Sequence, residues 1–130
     1  MRLFDSHCHL DDGSYNRDIK SVMERMERAG VQAAMIVGVD QARSEKAISI
    51  ARAGKGLYAS VGVHPHDAAA CTEPTISFLR DLAKNPEVRA WGETGLDFNR
   101  MFSPRMEQEK WFIRQIEVAG ELGLPMIFHE

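Results

Sequence analysis

The sequence predicts an α/β protein: a partial TIM (β/α)8 barrel of about five parallel strands and four helices, truncated after strand five. Three observations lead there. Short apolar runs alternate with longer stretches of helical periodicity, which argues for a parallel sheet built by right-handed crossovers. The chain stops at Phe128-His129-Glu130, on a strand, whereas a parallel sheet needs both faces covered. Finally, the residues suited to chemistry fall at the carboxyl ends of the strands, where such barrels carry their sites.

The expected strands are Arg2–Asp5, Gln32–Gly38, Leu57–Gly62, Arg89–Gly92 and Met126–His129. The first helix is expected from about Asn16 to Ala29, because Ile19, Val22, Met23 and Met26 follow an i, i+3, i+4, i+7 pattern and Gly30 is a natural stop. The second covers Ser44–Ala53, with Ala47, Ile48 and Ala51 facing inward. The third follows Pro74 and turns Ile76, Leu79, Leu82 and Ala83 inward. The fourth opens at Ser103-Pro104, an N-cap and a proline set for the first helical position, and runs to Leu122 before Gly123 and Pro125. No linker, repeat or low-complexity segment divides residues 1–130, so one domain is expected.

Composition narrows the function. The chain has 130 residues, of which 44% are hydrophobic, as in globular proteins. A net charge of −3 offers no basic field to draw in nucleic acid, so phosphate recognition has to be local. The two cysteines, Cys8 and Cys71, build no disulfide framework, as expected of a cytoplasmic protein. The first residues turn polar too early for a signal peptide, and no apolar stretch reaches the roughly 20 residues that span a bilayer. No membrane partner is expected.

Asp5-Ser6-His7-Cys8-His9 follows the first strand. Side chains alternate along an extended chain, so His7 and His9 share a face and can bind one divalent ion, while Cys8 points away toward the core. Asp5 shares the histidine face and is placed to orient a ligand. Gly62-Val63-His64-Pro65-His66 follows strand three, with the glycine expected to permit a sharp turn that the proline stiffens. Gly92-Glu93-Thr94-Gly95-Leu96-Asp97-Phe98 follows strand four, and its glycines are expected to let backbone approach a ligand. His129 ends strand five. Together His7, His9, Glu93 and His129 reach one rim, and a carboxylate between histidine clusters suits a site for one or two metals.

These motifs, in this order, resemble the TatD family of metal-dependent deoxyribonucleases, and Asn99-Arg100-Met101-Phe102-Ser103-Pro104 resembles the TatD branch itself. The resemblance covers the whole chain. It implies a TIM-barrel hydrolase that removes nucleotides 3′-to-5′ from single-stranded DNA or RNA. It implies that His7 and His9 bind a first metal, that Glu93 is the catalytic bridge between two, and that His129 binds the second. His64 would then hold a substrate phosphate, with His66, Asp97, Asn99 and Arg100 ordering the site or contacting substrate. The donor set is compatible with Mg, Mn, Zn, Co or Ni; histidine ligands suit the last four, and Mg prefers oxygen.

The family runs to about twice this length, and its further ligands, a His after strand six and an Asp after strand eight, lie beyond Glu130. The expectation is therefore the amino-terminal part of such an enzyme, incomplete alone, with an open sheet edge that invites self-association. Two other readings share these residues: a hydrolase of esters or amides such as a D-aminoacyl-tRNA deacylase, and a non-catalytic fragment or interaction module. Charged residues of the fourth helix, Arg105, Lys110 and Arg114 among Glu107, Glu109, Glu117 and Glu121, read as a solvated face. Trp111, Phe112 and Ile116 read as packing against the sheet.

Overall fold

The structure, a computed structural model, describes residues 2–130. Five strands, β1 (Leu3–Cys8), β2 (Val31–Ile36), β3 (Leu57–Val61), β4 (Val88–Gly95) and β5 (Met126–His129), pair in parallel in the order β1-β2-β3-β4-β5. Helices α1 (Ile19–Arg28), α2 (Gln41–Ala53), α3 (Glu73–Leu82) and α4 (Arg105–Leu122) alternate with them. This is the predicted partial barrel. No helix of the described residues is long and apolar enough to cross a membrane.

Several boundaries differ from the expected ones, each for a local reason. Strand β1 runs on to Cys8 and β4 to Gly95, so Glu93 lies inside its strand. Helix α1 starts at Ile19, because a 3-10 turn over Gly13–Tyr15, closed by Asp12 Oδ1 on Ser14 N–H at 2.9 Å, occupies the preceding residues. Helix α2 starts at Gln41, because Asp40 caps it through Arg43 N–H at 2.7 Å. Ser103 is not a helix cap. Its hydroxyl donates to His66 O at 2.7 Å and accepts from Ala69 N–H at 2.9 Å, tying the loop before α4 to the loop after β3.

The sheet separates two apolar layers. Ala34, Ile36, Ala59, Val61 and Trp91 pack against the inward residues of the helices, including Ala47, Ile48, Ile76, Leu79, Trp111 and Val118. On the other face Met35, Val37 and Ala90 pack with Tyr58 and Ile127. The alternation of Ala34 and Ile36 against Met35 and Val37 is the strand period made visible. Ile116 departs from expectation and is exposed, as are Ile113 and Phe128. Helix α4 turns Trp111, Gln115, Val118 and Ala119 to the core, and Ile116 sits about 100° around the helix from Gln115. The two edges of the sheet are β1 and β5.

The motif glycines serve the sheet, where a turn and ligand access were expected. A Cβ on Gly62 would lie 2.7 Å from Gly92 Cα, so the end of β3 approaches β4 this closely only because residue 62 is glycine. Gly92 and Gly95, at φ +131° and +153°, lie against the carbonyl oxygens of Ile127 and His129, where no side chain fits. Close contact of β4 with β5 is what brings Glu93 beside His129.

Two buried glutamines of α4 fasten the site-bearing loops. Gln115 Oε1 accepts from Val63 N–H (2.8 Å) and Trp91 Nε1–H (3.1 Å), and its Nε2 donates to Val63 O (3.1 Å) and Thr94 Oγ1 (2.7 Å). Gln108 Oε1 accepts from Asp97 N–H (2.8 Å), and its Nε2 donates to Asp97 O (3.1 Å) and Ser103 O (2.8 Å). The partners Val63, Thr94 and Asp97 adjoin or belong to the candidate site. Gln115→Leu keeps the apolar volume but strands several buried polar groups, each costing about 1–3 kcal/mol. We expect it to lower unfolding stability by at least about 2 kcal/mol in urea titrations. Unchanged stability would mean that Gln115 does not clamp these loops.

Candidate metal centre

Glu93 rises from β4, its side chain almost wholly buried at 6% exposure for the residue. Its two oxygens face different histidines. Oε2 is 3.3 Å from His7 Nε2 and 3.8 Å from His9 Nε2. Oε1 is 2.9 Å from His129 Nδ1 and 3.7 Å from His64 Nε2. The strand period explains His7 and His9 on one side, and Cys8 on the other, where its thiol donates to Met35 O at 3.2 Å. Burial pushes the Cys8 thiol up to about 11, so it stays protonated at neutral pH. Cys71 is buried too, and its thiol is pushed up to about 12.

A second group of nitrogen donors gathers His64, His66 and His129. Asp97 anchors it: Oδ2 lies 2.6 Å from His66 Nε2 and 3.4 Å from His129 Nε2. Asp97 Oδ1 accepts the backbone N–H groups of Asn99 (3.1 Å) and Arg100 (2.9 Å). The Arg100 N–H and then the His66 ring hold the Asp97 carboxyl well below the usual carboxylate range. Asn99 and Arg100 are exposed, and Arg100 borders the cleft. That cleft, about 240 Å³, opens over His9, His64, His66, Glu93 and His129.

Proton placement at His64 follows from its contacts. His64 Nδ1 accepts the His66 backbone N–H at 3.1 Å, so the neutral ring carries its proton on Nε2. Burial, the leading cause, lowers the His64 pKa from 6.5 to about 4, which keeps the ring neutral at pH 7. Its Nε2–H then points at His129 Nδ1, 3.0 Å away. His129 Nδ1 therefore uses its lone pair toward His64 while also facing Glu93 Oε1 at 2.9 Å. Two electron-pair donors at that distance call for a proton or cation between them.

The donor set fits a divalent ion. Ligand atoms each about 2.1 Å from a shared ion lie roughly 3.0–3.5 Å apart, close to the 3.3 Å and 3.8 Å that separate Glu93 Oε2 from the His7 and His9 nitrogens. His7, His9 and Glu93 form one candidate ligand group, and neutral imidazole with carboxylate suits Zn, Mn, Co or Ni.

Asp5 does not orient a histidine ring: its Oδ1 accepts the backbone N–H of His7 at 3.1 Å, since the carboxylate folds back along its own strand. Two residues that periodicity did not single out border the centre. Asp11, buried at 2% exposure, pairs with Arg43 of α2 at 2.5 Å, and this contact raises the Arg43 pKa. Asp11 follows the apolar Leu10 in a loop, and only its spacing of two from His9 could have marked it.

A family model described as TatD related DNase matches residues 4–130. The 3′-5′ ssDNA/RNA exonuclease TatD of Cronobacter turicensis is 38% identical over 127 residues, covering 98% of this chain and 48% of that protein. The protein of the same name from Shigella flexneri serotype 5b is also 38% identical, over 98% of this chain and 49% of its own. Among solved structures, a hydrolase TatD family protein from Entamoeba histolytica superposes with a TM-score of 0.91 at 26% identity, over 100% of this chain and 50% of its own. YjjV, a TatD homologue of Escherichia coli K12, gives 0.90 at 26% identity, over 98% and 50%. The chain spans about half the length of the curated relatives it matches. The family expected from the motifs is thus the family found: the chain belongs to the TatD-related DNases.

Proposed function

We propose that this chain supplies the divalent-metal face of a hydrolase that shortens single-stranded DNA or RNA from the 3′ end. The observation that carries this reading is the split environment of Glu93, one oxygen toward His7 and His9, the other toward His129 and His64. The names of the relatives, 3′-5′ ssDNA/RNA exonucleases, supply the substrate class.

On this reading His7, His9 and Glu93 hold the first ion, and Glu93 and His129 hold the second. Bound divalent ions supply Lewis-acid activation of water and charge stabilisation at the phosphoryl group. The chain's own residues then do the rest. Glu93 offers one oxygen to each side and keeps the two halves of the centre in register. His64, neutral through burial, donates Nε2–H and orients a phosphate oxygen. Asp97 fixes His66 and His129 by accepting from their rings, and spans the turn that carries Asn99 and Arg100 beside the cleft. Arg100 supplies local positive charge for substrate in a chain whose net charge is −3. Strands β1 and β5, as open edges, pair with further strands or with a second copy.

The direct test is metal-dependent shortening of a 5′-labelled single-stranded oligonucleotide, with Glu93→Ala as control. We expect 3′-end trimming that Glu93→Ala abolishes, together with a loss of metal affinity exceeding the about 10–100-fold of an outer-sphere change. Release of a D-amino acid from charged tRNA without oligonucleotide shortening would replace the nuclease by a deacylase. No hydrolysis of either substrate would favour a non-catalytic role.

His64→Gln separates the phosphate role from metal ligation. We expect slower turnover at unchanged metal content; loss of metal would make His64 a ligand. The same variant has a stability signature. Between pH 6.5 and about 4 the unfolded chain binds a proton that buried His64 refuses, so stability falls as pH drops through that window and this residue contributes nothing above it. In His64→Gln the slope of metal-free stability against pH across the window should flatten, as read by thermal melts.

A further inference from the structure

Beside the centre lie two buried atoms that lack hydrogen-bond partners among the described residues: His9 Nδ1 and Asp11 Oδ1. They face one another at 3.8 Å. The Asp11 side chain is fully buried, so bulk water does not reach its free oxygen. Its other oxygen is held by Arg43 Nε at 2.5 Å. Arg43 is itself fixed in the first turn of α2, where its backbone N–H binds Asp40. The opposite corner of the imidazole, His9 Nε2, faces Glu93 Oε2 at 3.8 Å.

A neutral imidazole has one N–H and one lone pair. With the proton on Nε2, the Nδ1 lone pair would face a buried anionic oxygen. With the proton on Nδ1, both buried atoms gain a partner once the ring shifts by about 1 Å to hydrogen-bond distance. The Nε2 lone pair is then directed at the Glu93 side. We propose that Asp11 is a positioning residue for His9: it accepts the Nδ1 proton and so presents Nε2 to the metal centre, while Arg43 holds Asp11 in place. Metal-bound histidines characteristically give their second ring N–H to such an acceptor. Asp11 thus takes the part that the strand pattern suggested for Asp5. This inference rests on the metal-binding reading above.

The experiment combines long-range 1H–15N spectra of the histidine rings with Zn2+ calorimetry, on the wild-type protein, Asp11→Ala and Asp11→Asn. We expect His9 to be the Nδ1–H tautomer in the wild type. Asp11→Ala should lose that preference and bind Zn2+ about 10–100-fold more weakly. Asp11→Asn, which keeps an oxygen at the same place, should retain the tautomer and most of the affinity. A purely structural Asp11 would lower the melting temperature and leave the tautomer alone. An Nε2–H tautomer in the wild type, or a folded Asp11→Ala with wild-type Zn2+ affinity, overturns the proposal. Should Asp11→Ala fail to fold, the wild-type spectrum and Asp11→Asn still decide. If the wild-type protein takes up no Zn2+, the metal reading fails separately, and the tautomer in the metal-free protein still decides the role of Asp11.

Discussion

A carboxylate this deeply buried has to be balanced, and the arrangement around Glu93 is organised by that need. Among the described residues, the charged-pair partners of Glu93 are all imidazoles, two on each oxygen. Burial of an uncompensated carboxylate is far too costly to persist, so the pocket needs either protonated histidines or cations. Burial keeps His64 neutral at pH 7, and its Nδ1 is already an acceptor, so it does not supply the charge. Cations bound on either side, as proposed above, would satisfy both oxygens of the carboxylate at once.

The scaffold holds that electrostatic arrangement at short range. Three glycines let β3, β4 and β5 approach so closely that Glu93 meets His129 across adjacent strands. Helix α4 fastens the segments bearing His64, Glu93 and Asp97 through Gln108 and Gln115. Both glutamines are fully hydrogen-bonded at their carbonyl oxygens and amide nitrogens, the condition under which buried polar groups give rigidity and not strain. A displaced α4 would therefore loosen the site without touching any candidate ligand.

Much of this was legible in the sequence, and the rest was illegible for identifiable reasons. The alternation of strand and helix gave the parallel sheet, because apolar periodicity reports which face is buried. The motif order led to the family, and His7, His9, Glu93 and His129 do converge at one rim. Gln108 and Gln115 escaped notice because a polar residue on a charged helix reads as solvated; only tertiary contact reveals it as buried. Ser103 looked like a helix cap because its local sequence fits one, yet its hydroxyl is used across the chain by His66 and Ala69. Asp11 and Arg43 are joined across 32 residues, a separation at which no periodicity carries information. The motif glycines stand out in the sequence, but their purpose depends on which strand lies opposite, and that is a property of the sheet.

On the proposed reading, the two oxygens of Glu93 serve two different metal positions. The most direct measurement is anomalous X-ray scattering from crystals of the protein grown with Mn2+ or Zn2+. A peak is expected among His7, His9 and Glu93 Oε2, and a second beside Glu93 Oε1 and His129 Nδ1. No peak at Glu93, with both oxygens instead hydrogen-bonded to protonated histidines, would contradict it.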